Sequence, residues 1–311
     1  MRILVTGATG LVGSWLIKLL LQKRHSVHFL TTTEDKINSI PECRGFYWNP
    51  HKGEMDVNSL IGVDAVIHLA GASISKRWTA RYKQEIIESR VLSANLLFRV
   101  LKNNPHQVKQ FISASGIGIY RNSITNFYKE ESREMSDCFL GNVVMKWEHG
   151  ANQFRRIGIN VCILRTGLVL SNKGGALPQM VKPVSLGFGS AFGSGKQVVS
   201  WIHVADLAAM YVFALENSLD GVYNAVAPEP VSNKVLTKEI ARTLHKPLFM
   251  PNVPKFLMEF TLGEMHKLLF DSQYVDSSKI IREGFLFSYP DIRSALTEVL
   301  NKKAPSKTEL S

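Results

Sequence analysis

The 311-residue chain has little cysteine, no long apolar run and no concentrated block of charge. Its three cysteines, Cys43, Cys138 and Cys162, are odd in number and far apart. That excludes a disulfide framework and a zinc spacing, and it fits a reducing, cytoplasmic setting. The apolar stretch after Gly13 is broken at Lys18, and no run is long enough to span a bilayer, so no membrane partner is expected. Strand-like residues begin at Arg2, which leaves no room for a signal peptide. Net charge is +11, from 37 Lys+Arg against 26 Asp+Glu, a surplus that favours anionic ligands. The basic residues are scattered rather than interleaved with aromatics, so nucleic acid is not an expected partner. His203 has no metal-ligand neighbours at a useful spacing, and no metal site is expected.

Short apolar segments alternate with longer amphipathic ones: RILVT then LVGSWLIKLLLQKRH, SVHFLT, GFYW, VDAVIHLAG, then RYKQEIIESRVLSANLLFRVLKNN, KQFISAS, a helix over about 137–157, and INVCILRT. This rhythm predicts an α/β fold, a doubly wound parallel sheet of Rossmann type. VDAVIHLA and KQFISA are nearly continuous apolar runs, as strands covered on both faces require. After about Leu170 the texture turns to glycine-rich loops and mixed elements. The expected division is a dinucleotide-binding domain over 1–170, with further sheet strands from about 198–226, a smaller mixed α/β C-terminal lobe over 171–300, and a flexible tail over 301–311.

The join between the first strand and the first helix reads Gly7-x-x-Gly10-x-x-Gly13. Gly7 permits a sharp turn, Gly10 lets a diphosphate approach the backbone, and Gly13 lets the helix pack on the strand. The helix start then offers free N–H groups and partial positive charge. A dinucleotide is the expected ligand, held by Gly7, Thr9, Gly10, Leu11, Val12 and Gly13. The second strand ends at Thr31, Thr32 and Thr33, without the carboxylate that NAD-preferring proteins place there. Hydroxyls of Thr31 and Thr32, with charge from Lys36 or Arg24, suit a 2′-phosphate. NADP is therefore the expected cofactor, with NAD the alternative; the same threonines also suit a strand end and a helix cap.

GATGLVG, DAVIHLAG and SASGIGIY, in that order, resemble the extended short-chain dehydrogenase/reductases. AGASISKRWT, YKQEIIESR, KWE, LRTGLVLSNKGGAL, GSGKQVVSWIHVADL and EGFLFSYPDIRSAL are similar to an atypical subgroup, usually labelled "epimerase family protein", with its own C-terminal domain. The resemblance covers nearly all of residues 1–300. It implies that Leu69, Ala70 and Gly71 line the dinucleotide and that Arg90 reaches the site or the loop opposite. It also implies a catalytic serine, Ser115 with Ser113 in reserve, at the end of KQFISAS.

The resembling enzymes also use a Tyr-x-x-x-Lys pair, and here the expected positions are Leu140 and Val144, neither able to transfer a proton. Tyr120 is the substitute acid/base; Lys146, Tyr128 and Lys129 are weaker choices. Arg165 in LRTG needs an anion or carbonyl partner, with an ion pair to Asp206 or Glu148 as the plain alternative. In the resembling sugar-nucleotide enzymes an Arg grips the diphosphate where Val198 and Val199 stand here. Lys196 supplies at most a point charge, so a UDP-sugar is disfavoured. Trp201 and His203 complete the expected substrate side, with a structural hydrogen bond the competing role for His203. Helices 81–104 and 137–157 resemble those that pair subunits in related folds, so a homodimer is the expectation by analogy. The expected function is an NAD(P)-binding, epimerase-like oxidoreductase acting on a small carbonyl or hydroxyl substrate. Its rivals are a non-catalytic NADP(H) sensor or complex subunit and, further off, a nucleotide-sugar epimerase/dehydratase.

Overall fold

The computed structural model describes residues 1–301; all but the first residue of the expected tail lies outside them. Strand β1 (Arg2–Thr6) runs into helix α1 (Leu11–Gln22), then β2 (Ser26–Thr31) and β3 (Cys43–Asn49), which doubles back through the short β4 (Glu54–Met55). Next come β5 (Ala65–His68), α2 (Ala80–Asn103), β6 (Gln110–Gly116), the short β7 (Phe127–Tyr128) and α3 (Phe139–Asn152). They are followed by β8 (Asn160–Thr166), β9 (Leu168–Leu170), α4 (Leu177–Ser185), β10 (Val198–Val199), β11 (Trp201–His203), α5 (Val204–Glu216) and β12 (Gly221–Ala225). The remaining elements are β13 (Val231–Ser232), α6 (Asn233–Thr243), α7 (Lys255–Leu262), α8 (Lys267–Phe270), β14 (Tyr274–Val275), α9 (Ser278–Arg282) and α10 (Ile292–Asn301).

The main sheet has the order β12-β8-β6-β5-β1-β2-β3-β4, parallel except for the β3–β4 hairpin. The chain leaves β1 toward β2 and β3, then returns to β5 on the other side. The loops after β1 and β5 therefore diverge and open a crevice, the place where ligands gather in such sheets. Burial on both faces explains the apolar runs. Ile3 and Val5 pack on one side with α1 and α5, whereas Leu4 packs on the other with α2 and Phe154. In α1 the buried positions Gly13, Leu16, Ile17 and Leu20 fall on one helical stripe. Each buried Leu or Ile there contributes about 1.5–3 kcal/mol.

The lobe has its own core, in which Leu170, Met180, Trp201, Leu236, Ile240 and Leu296 meet. Of the segment expected to add strands from about 198–226, β12 joins the main sheet. β10 instead pairs with β13 and β11 with β9, because their side chains are needed to close the lobe. The helices expected to meet a second subunit, α2 and α3, pack against one another within the chain. Among the described residues no helix is long and apolar enough to cross a membrane.

Candidate functional site

Two features prepare the crevice floor. Gly7 has φ +71°, and a Cβ there would stand 3.0 Å from the backbone carbonyl of Leu69. A Cβ on Gly13 would lie 2.1 Å from the Gly7 oxygen. Both positions therefore require glycine, and together they press the turn against β5. The start of α1 has Gly10 as its cap, no side chain bonded to its N–H groups, and no acid in its first turn. Thr9 and Gly10 are exposed, and Leu11 and Val12 half-buried. Uncapped amides with the helix dipole behind them form an anion site.

A buried network holds the floor rigid. The Thr6 hydroxyl accepts hydrogen bonds from the Leu69 and Ala70 amides, so its own proton goes to His68 Nδ1 at 2.8 Å. The other ring nitrogen then donates to Ser93 Oγ on α2 at 3.1 Å. Burial pushes His68 down to about 3, so the ring stays neutral. A histidine inside the apolar run VIHLA was the signal for this element, and the sequence reading passed over it. Arg90 reaches the loop rather than open solvent: Nη1 donates to the Ala72 carbonyl at 3.1 Å.

At the end of β2 Thr31 is buried, and its hydroxyl caps Thr33 locally, 3.2 Å from the Thr33 amide. Thr32 and Lys36 are exposed beside the carboxylates of Glu34 and Asp35. Arg24 lies before β2, at the opposite end of that strand from Thr31, so the six residues of β2 separate it from a phosphate there. At about 3.3 Å per residue that is roughly 20 Å, out of reach.

The far side of the crevice is a closed polar cluster. Ser115, at the end of β6 and 4% exposed, donates to Glu148 Oε1 at 2.7 Å. Arg165 grips the same carboxylate with Nε at 2.8 Å and Nη2 at 2.9 Å. Its Nη1 donates to the Tyr120 hydroxyl at 2.9 Å and to the Glu130 carbonyl at 3.1 Å. Tyr120 in turn donates to Asn224 Oδ1 at 2.7 Å. The plain alternative for Arg165 thus describes its geometry, with Glu148 and not Asp206 as partner.

This arrangement bears on the role expected of Tyr120. The residue is 1% exposed, its ring stacks on Tyr128 at 5.0 Å, and its one proton points at Asn224. Burial pushes the phenol up to about 12, the Arg165 charge only partly offsetting it. To exchange a proton with a ligand, a phenol so placed would first have to leave Asn224. Ser113 is also buried and bonds the Ala114 carbonyl. Leu140 and Val144 do face the turn after Ser115: a Cβ on Gly118 would meet Leu140 at 3.3 Å, and one on Gly116 would meet Val144 at 3.7 Å. The helix is in place, but its proton-transfer pair is replaced by aliphatic side chains. Lys146 and Lys129 are exposed.

The expected substrate side divides. Trp201 is 0% exposed and its indole N–H bonds the Glu229 carbonyl. His203, equally buried, accepts from the Ala205 amide through Nδ1 at 3.1 Å, so Nε2 carries the proton toward Glu298 at 2.8 Å. Asp206 accepts from the amides of Ser288 and Tyr289. His203 thus ties the lobe to its last helix through Glu298, and Asp206 holds the segment just before that helix. Lys196 is exposed, and Val198 and Val199 are taken up in pairing with β13. Among the described residues no His/Cys/Asp/Glu group could hold a metal ion.

Comparison with known proteins agrees with this geometry. Residues 3–225 match the model of the NAD dependent epimerase/dehydratase family, and residues 253–299 match a domain of unknown function, DUF1731. Epimerase family protein SSP1921 of Staphylococcus saprophyticus is 36% identical over 299 residues, covering 96% of this chain and 99% of that protein. The human epimerase family protein SDR39U1, solved with NADPH, superposes with a TM-score of 0.83 at 28% identity, over 97% of this chain and all of that one. A nucleoside-diphosphate sugar epimerase from Corynebacterium glutamicum is 30% identical with a TM-score of 0.78, over 100% of this chain and 60% of its own. With the nucleotide crevice, the lobe and these matches in agreement, the chain belongs to the NAD dependent epimerase/dehydratase family.

Proposed function

We propose that the protein is an NADP(H)-dependent, epimerase-like oxidoreductase that acts on a small carbonyl or hydroxyl compound, with NAD as the weaker cofactor. The observation that carries this reading is an adjacency on one sheet edge. The uncapped α1 amides and the Ser115–Glu148–Arg165 cluster stand two strands apart, about 10 Å. The human relative solved with NADPH and the absence of an acid at Thr31 and Thr32 favour the phosphorylated cofactor.

Gly7, Gly10 and Gly13 admit the diphosphate, the amides after Gly10 bind it, and Leu69, Ala70 and Gly71 wall the crevice. Bound there, a nicotinamide supplies hydride transfer to or from a substrate carbon. Ser115 handles the oxygen. Its only proton is committed to Glu148, so its lone pairs accept a hydrogen bond from a substrate hydroxyl. As the alcohol is oxidised, its proton passes to Ser115 Oγ while the serine proton moves to Glu148; reduction of a carbonyl reverses both movements. Arg165 orients the carboxylate, and Tyr120 orients Arg165. Leu140 and Val144 keep water off the cluster.

Fluorescence titration with NADPH and NADH tests the cofactor, and an NADPH-oxidation screen against small carbonyl compounds tests the chemistry. Tighter NADPH binding and turnover sensitive to Ser115→Ala are expected. A second reading, an NADP(H)-binding module without turnover, draws on the aliphatic Leu140 and Val144. Tight binding with no oxidation across a broad panel would establish that reading instead.

A further inference from the structure

Helix α7 turns its aromatic side away from the protein. On a helix of ~3.6 residues per turn, Met258 and Leu262 share one side, and Phe256 and Phe260 share the opposite one. Met258 and Leu262 are the half-buried pair, so their side meets the body. Phe256 is 71% exposed and Phe260 86%. No residue of α7 is fully buried. A surface helix ordinarily does the reverse and keeps its apolar stripe inward.

The exposed apolar surface continues beyond α7. Residues 248–253, which lead into the helix, run beside 189–193. The Val253 amide donates to the Ala191 carbonyl at 2.9 Å, and the Gly193 amide donates to the Val253 carbonyl at 2.8 Å. A Cβ on Gly189 would stand 2.7 Å from Leu248 Cδ2. This pairing puts Phe188, 64% exposed, and Phe249, 71% exposed, in the neighbourhood that α7 extends. At ~200 Å² for each ring, the four phenylalanines alone leave roughly 600 Å² open. Exposed Leu186, Leu248, Met250 and Leu257 enlarge it further. The largest apolar patch of a monomer is ~300–600 Å², whereas each side of a stable interface contributes ~800 Å². Aromatic rings and methionine with few charges are also what an interface centre contains.

The charges at the margin identify the occupant. The chain beyond residue 301 carries one large apolar residue, Leu310, too little to cover four rings. Glu259 and Glu264, both exposed, stand on and just after α7, where an anionic lipid surface would repel them. Lys255 and Glu259 lie 3.5 Å apart along the flank of the Phe256–Phe260 stripe. One cation and one anion on the same flank are complementary to their own copy turned end for end. A two-fold axis crossing near Leu257 lays two α7 helices antiparallel and sets Lys255 of each copy beside Glu259 of the other. We propose that α7, with the flanking segments 186–188 and 248–250, is the contact of a two-fold homodimer, in place of the α2 and α3 surfaces.

The test is the mass of the whole protein by sedimentation equilibrium, from low to high micromolar concentration. The wild-type protein should be a dimer. Phe260→Glu puts a charge into the contact and should raise the dimer Kd about 30-fold or more. Its circular dichroism should be unchanged, because the ring packs on little in its own chain. Phe256→Lys, a second variant should the first fail to fold, should act in the same direction. Lys255→Glu should weaken the dimer about threefold, the worth of an exposed ion pair, and adding Glu259→Lys should restore it. A wild-type protein that stays monomeric overturns the proposal, as does a dimer that neither phenylalanine variant weakens. A dimer weakened by Lys255→Glu and not restored in the double variant overturns the two-fold arrangement. A monomer that floats with phosphatidylglycerol vesicles, and ceases to in Phe260→Glu, makes the patch a lipid contact and overturns it too. None of these outcomes depends on nucleotide binding.

Discussion

Two buried arginines, Arg165 and Arg90, are held on opposite electrostatic terms. Arg165 has a bidentate carboxylate, a phenol and a carbonyl around its guanidinium. Arg90 has two carbonyls, an aromatic face and an open nitrogen. The first charge is balanced inside the fold, where it holds the Glu148 carboxylate to which Ser115 donates. The second has no carboxylate partner among the described residues, and the start of α1 has no side-chain cap. The contrast separates a charge satisfied within the fold from one that is not, a distinction that residue type alone does not make.

The largest way to break the contrast is to remove the balanced cation. Arg165→Met leaves Glu148 buried without its partner and should cost about 3–5 kcal/mol in urea unfolding, far more than Arg90→Met. Equal stability losses in the two variants would erase the distinction. Next comes Ser115→Ala, which removes the hydroxyl proposed to meet the substrate oxygen. Turnover should fall roughly 100-fold or more while NADPH affinity stays within twofold. A variant that loses NADPH binding as well would place Ser115 in the nucleotide site instead.

Acid sharpens the comparison a third way, through the neutral His68 under the crevice floor. Its folded pKa, about 3, lies below the ordinary 6.5, so the unfolded chain binds the extra proton between those values. Stability from this group is complete above pH 6.5 and declines as pH falls toward 3, by about 2 kcal/mol at pH 5. Denaturant titrations at pH 7 and pH 5 measure it. His68→Asn should lose part of that difference, and an undiminished difference would assign the acid sensitivity elsewhere.

The glycine join was readable in the sequence because everything it needs is local: strand end, turn and helix start fall within residues 2–22. The strand and helix rhythm was readable for the same reason. What resisted was pairing at a distance. Trp201–His203 reads as a strand, but its neighbour is β9 rather than the main sheet, and burial of Trp201 in the lobe core decides that. Ser115 was legible as a strand-end hydroxyl, whereas its partner Glu148 is 33 residues on and reads only as a helix position. Asn224 is 104 residues from Tyr120, and nothing in SASGIGIY announces that the phenol will be consumed by it. The sequence thus offers Tyr120 as an acid/base without showing that Asn224 accepts its proton.

The smallest expected effect decides that point. Tyr120→Phe keeps the ring stacked on Tyr128 and removes only the hydroxyl. Arg165 Nη1 keeps the Glu130 carbonyl, so the cation loses one partner of several, while Asn224 Oδ1 loses its donor. Stability should fall by about 1–2 kcal/mol, the desolvation of a group left unbonded. Turnover should change by less than about fivefold, with an unaltered pH profile, because Ser115 and Glu148 remain in place. A loss comparable to that of Ser115→Ala, with a basic limb of the pH profile removed, would return the phenol to the proton path. It would also mean that the cluster opens in the ligand complex, since the hydroxyl donates away from the crevice in the closed arrangement.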